Sequence, residues 1–94
     1  MQPRSEEVEH LERLRAELNR HGLDAQLVTK GKRSHLKVAN ADTPEINERV
    51  FCQLAEDHTA CFWWPWRQPI GAVDDLDAVV GKIAAVLRSV QGQP

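Results

Sequence analysis

Apolar residues recur at helical spacing at both ends of the chain and alternate with polar ones through its middle. Between Ser5 and His21, Val8, Leu11, Leu14 and Leu18 form one stripe among charged neighbours, which predicts an amphipathic helix. Ser5 suits its N-cap, and Glu6, Glu7 and Glu9 stand near the positive end of the helix dipole. Glu9 and Arg13 have the i,i+4 spacing of a favourable ion pair. Gly22 followed by Leu23 predicts a left-handed cap with a trailing hydrophobic contact. A second stripe of Leu76, Val80, Ile83, Leu87 and Val90, widened by Val79 and Val86, predicts a final helix. Asp74 or Asp75 would cap it, Asp77 adds charge to its first turn, and Arg88 suits its last.

The middle of the chain reads with a period of two. Residues 24–30 and 33–39 flank Gly31-Lys32, a pair suited to a type II′ hairpin turn. That turn places Leu27 opposite Leu36, Ala25 opposite Val38 and Thr29 opposite Ser34, on a face for the core. The other face receives Gln26, Val28, Lys30, Arg33, His35 and Lys37, and is polar and basic. Asn40 to Pro44 is turn chemistry. A third strand is expected from about Asn47 to Leu54 and a fourth from Thr59 to Trp66, joined by a tight turn over 55–58. The fold class is therefore α+β: a two-layer α-β-β-β-β-α arrangement, a four-stranded antiparallel meander with both helices packed on one face. Residues 1–94 are expected to form a single domain with frayed tails at 1–4 and 91–94.

The second hairpin departs from the usual alternation. A symmetric turn centred between Glu56 and Asp57 would set Cys52 against Cys61 and Phe51 against Phe62. Val50, Cys52, Leu54, Cys61 and Trp63 then share one face, and Arg49, Phe51, Gln53, Phe62, Trp64 and Trp66 the other. Both faces are apolar, although a sheet covered on one side should show one polar face. Facing cysteines also suggest a redox pair, Cys52 with Cys61.

Composition narrows the function classes. Hydrophobic residues make up 41% and charged residues 28%, as in a globular domain, and the three tryptophans crowd into residues 63–66. The net charge of −2 argues against a general polyanion binder, so nucleic acid is not expected as a partner. The charge is uneven, however: residues 24–39 sum to +3 and residues 40–58 to −4. No apolar run reaches membrane-spanning length, the acidic N-terminus is unlike a signal peptide, and two cysteines fit a reducing compartment, so the expected location is the cytoplasm.

Candidate chemistry is sparse. Cys52, His58 and Cys61 are three potential zinc ligands, but their spacing fits no known knuckle and alternation points His58 away from the cysteines. There is no Gly-rich phosphate loop, paired-His helix or nucleophile elbow, so neither a catalytic residue, a metal nor a cofactor is expected. The stretch Phe62-Trp63-Trp64-Pro65-Trp66 leading to Pro69-Ile70-Gly71 resembles short uncharacterised proteins of actinobacteria, a resemblance that implies an origin and no activity. The expected function is a non-enzymatic interaction or regulatory module. It would pair through an aromatic sheet face of Phe51, Phe62, Trp64 and Trp66, rimmed by Arg49 and Arg67, with itself as a homodimer or with another protein. The alternative is a small-ligand or nucleic-acid site on the same surface, with His35, Lys37 and Arg49 as polar contacts.

Overall fold

The computed structural model describes residues 6–31, 33–54 and 59–91. Ser5, Lys32, the 55–58 turn with His58, and residues 1–4 and 92–94 lie outside them. In chain order the elements are α1 (Glu6–Arg20), β1 (Leu23–Lys30), β2 (Arg33–Asn40), β3 (Asn47–Leu54), β4 (Ala60–Trp63), β5 (Pro69–Ala72) and α2 (Leu76–Gln91). The strands form one antiparallel sheet in the order β1-β2-β3-β4-β5. The α+β class and the meander are as the pattern predicts, but the sheet has five strands rather than four.

The extra strand arises because the expected fourth strand stops early. The backbone N–H of Trp64 donates to Gln68 O at 2.8 Å, and that of Arg67 donates to Trp64 O at 3.0 Å. Arg67 has φ +66°, so a type I turn with Pro65 in its favoured position is followed by a left-handed residue, the usual three-residue hairpin loop. Pro69-Ile70-Gly71-Ala72 reads as loop because proline and glycine punctuate it. Pro69 is tolerated because β5 is an edge strand.

Both helices bury their stripes against one side of the sheet. Leu11, Leu14 and Leu18 of α1 and Val79, Val80, Ile83 and Leu87 of α2 form one core with Ala25, Leu36, Val38, Val50, Cys52, Phe62, Trp64 and Ile70. The α1 terminus follows its signals. His21 N donates to Glu17 O and Leu18 O, and Gly22 takes φ +86°, which a Cβ would oppose. Among the described residues the ion pairs of α1 are Arg15–Glu12 at 3.3 Å and Arg20–Glu17 at 3.1 Å, rather than the expected Glu9–Arg13, and the His21 ring stands 3.9 Å from Glu17.

Side chains also cover the sheet's edges. Asn19 accepts from Ala25 N at 2.9 Å through Oδ1, holding α1 against the open edge of β1. Lys82 Nζ donates to Ile70 O at 2.9 Å and covers the edge of β5 from α2. At Gly71 an added Cβ would stand 2.9 Å from Val79 Cγ2, so the glycine is what lets α2 approach the strand. Among the described residues no helix is long and apolar enough to cross a membrane.

Candidate functional site

The face of the sheet turned away from the helices is assembled by two registers. The first hairpin pairs as its sequence predicts, with Leu27↔Leu36, Val28↔His35, Gln26↔Lys37 and Lys30↔Arg33. Gly31 at φ +60° supplies the positive φ that a primed turn requires. Hydroxyls of Thr29 and Ser34 hydrogen-bond at 3.0 Å beside the core. On the other side of β2, Leu36↔Val50 and Lys37↔Arg49 set β3 in place.

The second hairpin corrects the sequence reading by one residue. Phe51 pairs with Trp63, Cys52 with Phe62, Gln53 with Cys61 and Leu54 with Ala60. Five residues, 55–59, separate the paired ends, an odd number where a symmetric tight turn needs an even one. A one-residue slip turns every side chain of one strand to the other face relative to its partner. Phe62 and Trp64 therefore join Val50 and Cys52 in the core, both as buried side chains, and are not surface residues. Phe51, Cys61 and Trp63 turn outward and are half-buried. One core face and one mixed face replace the two apolar faces.

Across four strands, Val28, His35, Phe51 and Trp63 now form one row on the open face. Its length is about 14 Å at the usual strand spacing of ~4.8 Å. The His35 and Phe51 ring centroids are 5.3 Å apart with planes tilted by 36°. Trp63 Nε1 donates to Gln53 O, two residues along β3 from its partner, at 3.3 Å. That contact brings the N–H edge of the indole to the backbone of β3 and leaves the ring half-buried on the open face.

Cations flank the row on both sides. Lys37 and Arg49 are directly opposed on one side, Lys30 and Arg33 on the other, all exposed. None of the four forms an ion pair with a described residue. On the outward positions of β1–β4 the one carboxylate is Asp24, opposite Ala39 at the far end. His35 is held below the ordinary histidine value, first by burial and then by the charges of Arg49 and Lys30. It is thus a neutral ring at neutral pH.

The remaining nominated residues fall elsewhere. Trp66, 52% exposed, sits in the β4–β5 loop beside exposed Arg67. Its ring stacks on Trp64 at 5.2 Å and 7°, and its Nε1 donates to Gln68 Oε1 at 2.9 Å. Cys52 and Cys61 are free thiols. Their different strand partners put them on opposite faces, so the register that set them face to face does not occur. Burial, then the negative charge of Glu7 and then Cys61, push the Cys52 thiol up to about 12. No group of three potential metal ligands is found among the described residues. The sequence sets Trp63 on the face opposite Phe51, and only the parity of the 55–59 connection could have placed the two together.

A shallow groove of about 250 Å³ lies at the end of α1, lined by His21, Gly22, Leu23, Asn40, Asp42 and Ala84 among others. Asn40 Oδ1 there already accepts from Asp42 N at 2.8 Å and Thr43 N at 3.0 Å, as an ordinary turn side chain does. No family model, curated protein or solved structure matches this chain.

Proposed function

We propose that this chain is a non-enzymatic binding module whose open sheet face holds an anionic partner. One observation carries the reading: two like-charged cross-strand pairs, Lys37↔Arg49 and Lys30↔Arg33, bracket the aromatic row. Like charges directly opposite each other destabilise a sheet, so these pairs cost the free protein stability that an anionic partner would return. Phe51 and Trp63 supply apolar contact between them, and aromatic and arginine side chains are the types that dominate binding energetics. Whole-chain charge is a poor guide here. Apart from Asp24 and Glu48 the compensating acids lie outside the strands, while the face itself is positive.

Self-pairing through this face is disfavoured by the same charges, since two copies would bring four cations against four. Retention on phosphocellulose at pH 7.5 and low salt tests the reading. The chain should be retained despite a net charge of −2, and K37E/R49E should flow through. R13E/R20E makes the same charge change on α1 and should still be retained. Equal loss of retention in both variants would sink the proposal. A concentration-independent dimer by light scattering that K37E/R49E dissociates would sink it too.

A further inference from the structure

We infer that the anionic partner is a single-stranded nucleic acid, stacked on His35, Phe51 and Trp63 and held at its phosphates by Lys30, Arg33, Lys37 and Arg49. The inference rests on the binding-module reading and adds the chemistry of the occupant. The argument turns on what the row has left to offer a partner. The Trp63 indole N–H is spent on Gln53 O, and strand backbone groups at the centre of the sheet are spent on the ladder. What stays available is flat ring surface on neighbouring strands, spaced by roughly 4.8 Å.

Bases use such surface without further hydrogen bonds, because every base has a π-face, and they reach it only when unpaired. An acidic peptide would instead seek backbone partners along a free strand edge, and the described edges carry the Asn19 and Lys82 contacts. The cations complete the fit. Positions two residues along a strand are about 7 Å apart. The Lys37–Arg49 and Lys30–Arg33 pairs therefore run parallel to the ring row on either side, where a backbone leaving stacked bases would pass. His35 belongs to the row as a neutral ring, which lets it stack rather than compete with the four charges for phosphate.

The test is fluorescence anisotropy with labelled 12-mer oligouridylate and oligothymidylate between 50 and 200 mM salt, against polyglutamate and a 12-bp duplex. Four phosphate contacts at about 0.7 each for a single strand predict a slope of log K on log salt near −3. Phe51→Ala should weaken binding roughly five- to 150-fold, the equivalent of about 1–3 kcal/mol per stacked base, without changing that slope. Lys37→Thr should lower the slope by about 0.7. Near-ultraviolet circular dichroism establishes that each variant is folded. Binding to polyglutamate but to neither oligonucleotide would overturn the nucleic-acid inference and leave the anionic-face reading standing. Binding to none of the polyanions would overturn both. Duplex bound as tightly as single strand, or oligonucleotide affinity indifferent to Phe51→Ala, would also overturn the inference.

Discussion

Lys37 on β2 and Arg49 on β3 stand directly opposite each other on the open face, two cations paired where a sheet ordinarily sets opposite charges. Replacing one should therefore help the free fold while harming its binding. Lys37→Thr is expected to raise unfolding free energy by about 0.2–1 kcal/mol, read from urea denaturation. A fall in stability would mean that the lysine stem contributes packing that outweighs the repulsion.

Phe51 and Phe62 lie on neighbouring strands but on opposite faces, and their truncations should differ accordingly. Phe62→Ala opens a cavity in the core and should cost about 3–5 kcal/mol. Phe51→Ala removes one member of a surface pair and should cost about 1 kcal/mol or less. Chemical denaturation of both variants checks the register itself, because the two-apolar-face reading predicts comparable costs.

Gly71→Ala should destabilise by about 1–3 kcal/mol, since the new methyl would meet the stiff Val79 side chain at 2.9 Å. In a double-mutant cycle, Val79→Ala should cost less in the Gly71→Ala background than alone. Simple additivity would show that α2 relaxes away without resistance.

The two thiols should separate chemically. Half-exposed Cys61 is expected to alkylate in the native protein, and buried Cys52 to react only on unfolding. Intact-mass measurement after brief treatment should show one adduct, and two at equal rates would contradict the placement. Because the folded Cys52 pKa lies above its ordinary value of 9.0, its contribution to stability is complete below about pH 9. It is lost as pH rises toward about 12.

His35 should make acid act in opposite directions on folding and on binding. Its folded pKa is depressed, so the unfolded chain binds more protons, and its contribution falls as pH drops through 6.5. A bound polyanion favours the charged imidazole, so affinity should rise over the same interval. His35→Phe should remove both effects, measured by thermal unfolding and anisotropy between pH 7.5 and 5.5.

The sequence alone determined the helices, the first hairpin and its register, because these depend on neighbours close in the chain. A 3.6-residue stripe locates α1 and α2, Gly22 ends α1, and Gly31 centres a two-residue turn whose pairings follow by counting. The same counting brought His35, Lys37 and the other cations of β1 and β2 to one polar face.

Only the tertiary structure decided what lies beside that face. Apolar residues occupy both parities of β3 and β4, so local pattern leaves two registers one residue apart, and packing beneath α1 and α2 selects between them. That choice buries Phe62 and Trp64, turns Trp63 outward and parts the two cysteines. Burying two large aromatics in the shared core outweighs the symmetric turn, because hydrophobic burial grows with area and turn preference does not. The fifth strand was settled the same way. Pro69 and Gly71 read locally as breakers, yet an edge position tolerates the proline and the approach of Val79 requires the glycine.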